Sequence, residues 1–265
     1  MHLSSPAKIN LSLAVGPRDE RGYHPVDTVV HLLSFGDTLT FRDADELTVS
    51  CSRDLGIAEC DNLAYRAAEL MGEVFGRPIP LAIHIDKHIP HGAGLGGGSS
   101  NAGAVIREIA RRWQIPPEDE RLTHVARALG SDVGAFLAPT ACSHLTGYGD
   151  VLASSLTARS GLPLVVAMVD GAHASTAEVY RVFDEIGAPD PVLPFRNDLS
   201  EASMRTCDAT RQALEWLRAQ PHTDTAQVCG SGAACFAMVA SDTDACELAD
   251  SAQARGFWAV ATNLL

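Results

Sequence analysis

The chain has 265 residues, a hydrophobic content of 46% and a formal net charge of −13. This length can bury one large core or two modest ones, and the acidic charge argues against nucleic acid as a partner, because duplex binding needs a basic surface. The sequence contains no apolar run of about 18 residues and no basic segment followed by an apolar one at its start, so we expect neither a membrane span nor a secretion signal. The seven cysteines form no C-x-x-C pair and are expected to be reduced thiols, which favours a cytoplasmic protein.

The first half of the chain is predicted to alternate short strands with amphipathic helices. Apolar alternation with Gly and Asp between the segments predicts strands over residues 7–15, 28–33, 38–42, 47–51 and 79–86. Helical periodicity predicts helices over 63–75, from about residue 102 to 113, and over 117–129. Gly130-Ser131-Asp132-Val133 then places a carboxylate at the start of a further short helix.

The second half follows a turn-rich segment at 146–150 and a connection at 158–161. Its predicted strands are 164–168, 235–239 and 258–264; its predicted helices are 175–186, two that begin at 198 and 207, and 244–254; a Pro-rich connection covers 189–194. This order predicts an α+β fold with split β-α-β character in the second half. We place two domains at 1–157 and 158–265, with a ligand cleft between them.

The segment 91–102, His-Gly-Ala-Gly-Leu-Gly-Gly-Gly-Ser-Ser-Asn-Ala, has five glycines within seven positions and continues into a helix. Bare backbone and a helix N-terminus can bind a polyphosphate. A dinucleotide loop would need an acid about 20 residues later on a strand end, whereas 116–119 is typical of a helix start. Gly98 stands where a Walker A loop has its lysine, and a flexible linker would lack the flanking strand and helix. Two roles stay open for Ser99 and Ser100: capping the helix, or contact with phosphate or Mg²⁺.

Lysine is scarce: Lys8 and Lys87 are the two lysines among 20 basic side chains. A compact ammonium beside a reacting oxygen would explain a lysine that arginine could not replace, and the alternative is chance placement under an arginine bias. His84, His88 and His91 surround Lys87 at loose metal-like spacing. We expect no zinc there, because strand positions and a glycine loop do not converge three imidazoles on one point.

Four segments together resemble the motif set of the GHMP small-molecule kinases, almost from end to end: Pro-Ala-Lys-Ile-Asn-Leu at 6–11, the glycine loop, Gly-Ser-Asp-Val at 130–133 and Gly-Ser-Gly-Ala-Ala-Cys-Phe at 230–236. Together with Arg-Gly-Tyr-His at 21–24, the first motif resembles the 4-diphosphocytidyl-2-C-methyl-D-erythritol kinase family. The resemblance implies a two-domain GHMP kinase fold, with a ribosomal-protein-S5-like ATP-binding domain, a ferredoxin-like α/β sandwich and the active-site cleft between them.

The resemblance also implies the reaction, which is ATP-dependent phosphorylation of a substrate 2-hydroxyl in the non-mevalonate isoprenoid route. ATP and a cytidine diphosphate-linked methylerythritol would be the partners, Mg²⁺ would arrive with ATP, and we expect no protein metal site, nucleic acid, membrane or obligate protein partner.

The catalytic residues that the resemblance implies are Lys8 and Asp132. Asp132 would orient the attacking hydroxyl or accept its proton, and Lys8 would bridge that carboxylate, the hydroxyl and the transferring phosphoryl group. Their alternatives are a plain helix cap for Asp132 and a surface charge at a strand edge for Lys8.

The resemblance assigns two further sets of residues. On the substrate side, Asn10 would lie near the hydroxyl, His24 would read the cytosine edge, and Tyr23 and Tyr180, with Thr176, would clamp the base. Turn chemistry is the alternative for Tyr23 and His24, and packing beside Phe183 is the alternative for Tyr180. On the ATP side, Asn62 and Lys87 would line the adenine pocket, and the phosphate loop would comprise Pro90, Gly92, Ala93, Gly94, Leu95, Gly96, Gly97, Gly98, Ser99 and Ser100.

The sequence departs from the family pattern without losing a chemical group, so we expect an active kinase. Gly134 replaces a common proline, which we expect to loosen the helix start that carries Asp132, and His31 replaces a frequent glutamine. One alternative is another GHMP kinase, such as a homoserine or mevalonate kinase, but neither of those substrates has a base for Tyr23 to stack upon. The other is an inactive nucleotide-binding protein, which the presence of both Lys8 and Asp132 opposes.

Overall fold

The computed structural model describes residues 1–189 and 196–265, and two sheets organise them. The first sheet contains β1 (His2–Val15), β2 (Val26–Asp43), β3 (Thr48–Cys51), β4 (Leu81–Asp86), β5 (Cys142–Thr146) and β6 (Val151–Leu156). Its order is β3-β4-β2-β5-β6, with β1 paired to β2. The second sheet contains β7 (Pro163–Val169), β8 (Thr223–Val228), β9 (Cys235–Val239) and β10 (Phe257–Asn263). Its order, β10-β7-β9-β8, is that of a split β-α-β-β-α-β unit, as the sequence predicts.

The helices are α1 (Leu63–Phe75), α2 (Gly97–Arg112), α3 (Glu120–Leu129), α4 (Thr176–Ile186), α5 (Ser200–Thr206), α6 (Asp208–Arg218) and α7 (Asp242–Ala254). Two 3₁₀ helices, Glu59–Asp61 and Ser131–Phe136, precede α1 and follow α3. Within the described part of the chain, no helix has the length and apolar character that a membrane crossing requires.

The helix predictions hold within a few residues, because periodicity and caps are local signals. Asn62 accepts a hydrogen bond from Ala64 N and begins α1, and Gly76 ends it in the left-handed conformation. The helix predicted from residue 117 begins instead at Glu120, because Asp119 provides its cap by accepting from Arg121 N. The Pro-rich connection predicted at 189–194 lies almost wholly outside the described residues.

The strand predictions were less accurate. Residues 28–33 and 38–42 belong to the single long strand β2, and Gly36 between them is a packing residue, since a Cβ there would lie 2.4 Å from Ser5 O. Strands β5, β6 and β8 were not predicted. Strand β6 lies at the edge of its sheet, and five of its six residues are exposed, so it lacks the apolar alternation that marks a half-buried strand.

The core joins the two halves of the chain. One cluster of buried side chains combines Ile9 and Leu33 of the first sheet with Val166 and Phe236 of the second. A second cluster lies between the first sheet and helices α1, α2 and α3. The boundary at 157 and 158 falls between β6 and β7, and the division into two domains stays a prediction.

Candidate active site

The glycine loop connects β4 to α2 and leaves the start of that helix without a cap. Gly96 is the N-cap residue, no side chain among the described residues caps it, and the first helical hydrogen bond runs from Ser100 N to Gly96 O (2.8 Å). The amides of Gly97, Gly98 and Ser99 therefore precede the helical hydrogen-bond ladder, as an anion site requires. The capping role considered for Ser99 and Ser100 is wrong. Ser100 is fully buried and accepts from Ser5 Oγ (2.8 Å).

Close packing explains two of the glycines in this loop. Gly94 has φ +80°, and a Cβ there would lie 2.2 Å from Cys229 O in the C-terminal half. Gly96 has φ +70°, and its Cβ would lie 2.9 Å from both the Lys8 stem and the Phe136 ring. Side chains at these positions would be strained and would displace their neighbours.

Lys8 and Asp132 converge beside this loop, with Lys8 Nζ 3.3 Å from Asp132 Oδ2. The Lys8 side chain is 5% exposed and the Asp132 side chain 42%, so a surface charge at a strand edge is the wrong interpretation for Lys8. Asp132 is the second residue of 3₁₀ helix Ser131–Phe136, whose start has no side-chain cap, so the plain cap is also wrong. Both residues line a cavity of about 350 Å³ together with Gly94, Gly96 and Ser99.

Strand irregularity positions Lys8, and helix packing positions Asp132. Strand β1 has register shifts on both sides of Lys8–Asn10, and such bulges redirect side chains. The 3₁₀ helix packs closely on α2 at Gly103, where a Cβ would lie 2.7 Å from Phe136 Cβ. Lys8 Nζ also donates to Asn10 Oδ1 (3.0 Å), which brings Asn10 into the same cavity.

A larger cavity, of about 850 Å³, lies beside the first and shares Ser131, Tyr148, Thr176 and Tyr180 with it. The predicted base-binding residues all line it: Tyr23, His24, Thr176 and Tyr180. Thr176 Oγ1 lies 2.9 Å from Ser231 Oγ in the glycine-rich C-terminal turn. Burial raises the pKa of Tyr180 to about 12, so its hydroxyl is a neutral donor at physiological pH.

The aromatic side chains in this cavity are arranged differently from a simple clamp. Tyr23 is 66% exposed and meets Tyr148 edge to face at 5.9 Å, while Tyr180 stacks on the buried imidazole of His24 at 5.4 Å. His24 Nδ1 contacts Gly16 O (2.8 Å), and its Nε2 lies 2.9 Å from Asp184 Oδ1 without a well-oriented hydrogen bond within the described residues. Whether Tyr23 and Tyr180 hold a base between them stays a prediction.

Four arginines, Arg18, Arg21, Arg127 and Arg181, line the same cavity in a chain of strongly negative net charge. Each guanidinium lies within 3.5 Å of a carboxylate. Arg21 begins the Arg-Gly-Tyr-His motif at 21–24, whereas no motif in the sequence singled out the other three, since arginines are common along this chain. Because each of the four arginines is paired with a carboxylate, the lining of this cavity combines charges of both signs.

Several of the residues predicted to bind the nucleotide already have partners within the protein. Asn62 caps α1, and Lys87 Nζ is buried 2.5 Å from Asp37 Oδ2, so both have structural partners. The side chains of Ala93 and Leu95 are buried in the core, and their carbonyl oxygens accept from Ala234 N and Lys8 N, so their contact with phosphate stays a prediction. Pro90 precedes the loop and is partly buried, and Gly92 lies against the imidazole of His173, a contact that the sequence did not indicate. The adenine role of Asn62 and Lys87 stays a prediction.

Three residues that the sequence did not single out also belong to this region. Thr28 and Tyr148 line the smaller cavity beside Lys8 and Asp132, and Ser231 does so from the turn after β8. Only Ser231 carried a signal, as part of the glycine-rich motif at 230–236.

Across residues 1–189 and 196–265, no three His, Cys, Asp or Glu side chains cluster as a metal site would require.

Comparison with known proteins identifies the family. The family model for the GHMP kinases N terminal domain matches residues 62–156. The 4-diphosphocytidyl-2-C-methyl-D-erythritol kinase of Salinibacter ruber is 35% identical over 257 residues, covering 88% of each chain.

Solved structures agree with that assignment. The crystal structure of a 4-(cytidine 5'-diphospho)-2C-methyl-D-erythritol kinase superposes with a TM-score of 0.83 at 32% identity, covering 100% of this chain and 99% of the other. Homoserine kinase from Cytophaga hutchinsonii, at 13% identity and a TM-score of 0.67 over 100% of this chain and 93% of its own, shares the fold alone. The predicted α+β GHMP kinase fold is confirmed, and the chain belongs to the 4-diphosphocytidyl-2-C-methyl-D-erythritol kinase family of the GHMP kinases.

Proposed function

We propose that this protein transfers the γ-phosphoryl group of ATP to the 2-hydroxyl of 4-diphosphocytidyl-2-C-methyl-D-erythritol, in the non-mevalonate route to isoprenoids, with Lys8 and Asp132 as the catalytic pair. Family membership supports the reaction. The observation that carries the residue assignment is the 3.3 Å contact between the two side chains, beside an uncapped helix start that can bind phosphate.

The transfer forms one bond and breaks one. The substrate hydroxyl oxygen bonds to the γ-phosphorus, and the bond from that phosphorus to the bridging oxygen breaks, leaving its electron pair on ADP. Asp132 accepts a hydrogen bond from the hydroxyl, orients it and receives its proton as the new bond forms. Lys8 places a positive charge beside the transferring group, where negative charge must be stabilised.

The two cavities divide the ligands between them. The amides of Gly97, Gly98 and Ser99 bind the phosphates of ATP. Mg²⁺ would neutralise phosphate charge when bound with the nucleotide, and the Ser99 hydroxyl is the side chain that would hold it. All seven cysteines are free thiols, which supports a reducing, cytoplasmic location.

The cytidyl end of the substrate occupies the larger cavity. His24 and the aromatic rings of Tyr23 and Tyr180 contact the base, and Thr176 lies at the junction of the two cavities, beside Ser231. We assign the diphosphate linker to the guanidinium groups that line this cavity, which would exchange their carboxylate partners for it.

A direct assay tests the catalytic pair. The purified protein, ATP, Mg²⁺ and the cytidyl substrate should yield ADP and a product heavier by one phosphate, whereas homoserine or mevalonate should yield none. Lys8→Ala and Asp132→Ala should each lower kcat by at least about 100-fold, because each removes charge at the transition state.

The matched control is Asp208→Ala, which removes an exposed carboxylate on α6 that pairs with Arg211. It should leave kcat unchanged, and circular dichroism should show all three variants folded. Near-native turnover in either catalytic variant would contradict the assignment of the pair.

A further inference from the structure

We propose that Thr28 is a positioning residue for the phosphoryl transfer, which it serves by fixing the orientation of the Asn10 amide and, through it, the ammonium of Lys8. This inference rests on the proposed function, because it assumes that Lys8 acts beside Asp132. It concerns a residue with no sequence signal of its own.

A directed series of hydrogen bonds links Thr28 to the catalytic pair. The Thr28 hydroxyl donates to Ser12 O (2.7 Å), and Asn10 Nδ2 donates to Thr28 Oγ1 (2.8 Å). Lys8 Nζ in turn donates to Asn10 Oδ1 (3.0 Å) and lies 3.3 Å from Asp132 Oδ2. The series therefore runs from the backbone of β1 to the reacting carboxylate.

The direction of each bond follows from how many protons each group has. A hydroxyl has one proton, and here it is used on a carbonyl oxygen, so Thr28 can only accept from Asn10. Asn10 must then present its NH₂ group to Thr28 and its carbonyl oxygen to Lys8. An ammonium has only donors, so this is the single amide orientation that it can use.

Strand geometry places the three side chains on one face. Asn10 pairs with Val30, and Lys8 and Thr28 each lie two residues from a member of that pair, which puts them on the same face of β1 and β2. Lys8, Asn10 and Thr28 are all buried, and all three line the catalytic cavity. In such surroundings an unpaired amide is costly, so the Thr28 hydroxyl determines which amide orientation persists.

Loss of the hydroxyl removes that control. In Thr28→Val the Asn10 NH₂ group loses its acceptor, and rotation of the amide would turn NH₂ toward the Lys8 ammonium, donor against donor. Lys8 would then move away from its position beside Asp132, and small displacements of a reacting group lower turnover strongly. The residues assigned to the cytosine base line the larger cavity, which Asn10 does not, so we expect the KM values for ATP and for the cytidyl substrate to change little.

The test compares Thr28→Val with Thr28→Ser in the full chain, using ATP, Mg²⁺ and the cytidyl substrate. Thr28→Val should lower kcat by about 10- to 100-fold while both KM values stay within about threefold of the wild-type values. Thr28→Ser keeps the hydroxyl and should restore kcat to within about threefold. A Thr28→Val kcat close to wild type would overturn the proposal, as would a loss confined to KM for the cytidyl substrate, since that would indicate direct contact.

Thr262→Val is the matched structural control. Thr262 is buried on β10, its hydroxyl contacts Ser34 Oγ (2.9 Å) and accepts from Phe35 N of β2 (3.0 Å), and it lines neither cavity of the site. Both valine variants should lose thermal stability, but only Thr28→Val should lose kcat. Equal kcat values in the two valine variants would show that Thr28 has only a structural role.

A double-mutant cycle tests whether Thr28 acts through Asn10. With Asn10→Ala already present, Thr28→Val should reduce kcat little further, because the group through which it acts is gone. Independent losses would overturn the proposal. If Thr28→Val does not fold, Thr28→Ala replaces it in the same comparisons. A wild-type protein that forms no phosphorylated product would instead refute the proposed function itself.

Discussion

Asp37 is a buried carboxylate that connects both sides of the glycine loop. It accepts hydrogen bonds from Lys87 Nζ, from the backbone amides of His88 and Ile89, and from Asn101 Nδ2. Lys87, His88 and Ile89 lead into the loop from β4, and Asn101 lies in the second turn of α2. A single side chain therefore holds the two ends of the glycine loop at a fixed separation.

Replacement of that carboxylate should be costly in stability. Asp37→Asn leaves the Lys87 ammonium buried without its counter-ion, which should lower the free energy of unfolding by about 3 kcal/mol in urea denaturation. It should also raise KM for ATP more than KM for the cytidyl substrate. The control on the same strand is Asp43→Asn, whose carboxylate is exposed beside Arg112 and should change stability little. Equal losses in the two variants would contradict the anchoring role.

Among the elements, the glycine loop depends on its contact with the C-terminal turn at 229–232. Ala234 N donates to Ala93 O (3.0 Å), and Gly94 lies directly on Cys229 O. Nearby, Lys8 N donates to Leu95 O (3.0 Å), so the strand that carries the proposed catalytic lysine is hydrogen-bonded to the same loop. Loop, strand and turn thus form one unit around the catalytic cavity.

Alanine substitution at two glycines separates backbone strain from steric conflict. Gly94 and Gly56 both have positive φ, so alanine at either should cost about 1 kcal/mol in left-handed backbone strain. At Gly56 a Cβ meets nothing within 4 Å, whereas at Gly94 it meets Cys229 O at 2.2 Å. Thermal denaturation should show a much larger loss for Gly94→Ala, which should also lose ATP-dependent turnover. Similar unfolding midpoints for the two variants would refute the close packing of the loop.

Across the whole molecule, β2 is the strand that connects the two sheets. It pairs with β1, β4 and β5, and its central residues also contact the C-terminal half: Leu265 N donates to Leu32 O (3.0 Å), and Leu33 bridges Leu264. His31 contributes from the same strand, since its Nε2 accepts from Arg159 N (3.2 Å) in the connection between the halves. Its Nδ1 contacts Leu32 O (2.9 Å), so the neutral ring satisfies both partners.

The stability of the protein should depend on pH through His31. Burial lowers the pKa of this imidazole below its ordinary value of 6.5. At mildly acidic pH the unfolded chain therefore binds a proton at His31 more readily than the folded protein does. The contribution of His31 to the free energy of unfolding is present above about pH 6.5 and is lost as pH falls through the lower pKa of the folded state. His31→Gln keeps one donor and one acceptor but does not titrate.

Unfolding midpoints of the wild type and of His31→Gln, measured from about pH 8 to about pH 5, should therefore converge or cross as pH falls. Other titratable groups are the same in both proteins, so their effects cancel when the two unfolding midpoints are subtracted. A difference that stays constant across that range would show that His31 does not contribute to the acid sensitivity.

How much could be predicted depends on how local the signal was. Helix α1 was predicted at its observed bounds, because Asn62, Gly76 and an apolar periodicity all act within a few residues of the chain. Strand β6 was missed, because it lies at an exposed edge and lacks apolar alternation. Its pairing with β5 defines it as a strand, and that pairing is not visible in the sequence. The capping role for Ser100 was wrong, because its hydroxyl is buried against Ser5. Ser5 is far away in sequence, so no local pattern could indicate this contact.

The bare backbone of the glycine loop predicts phosphate binding, and that role stays a prediction. The sequence by itself determined the family, because its motifs resemble those of the GHMP kinases almost from end to end. That resemblance also implied that Lys8 and Asp132 lie together, as they do in the structure. Only the tertiary structure decided which buried groups orient them. Thr28 and Asp37 act through hydrogen bonds and an ion pair to residues distant in the chain, and the arginine-lined cavity arises where separate elements meet. Such contacts depend on strand register and on packing between elements, neither of which is encoded within any short segment.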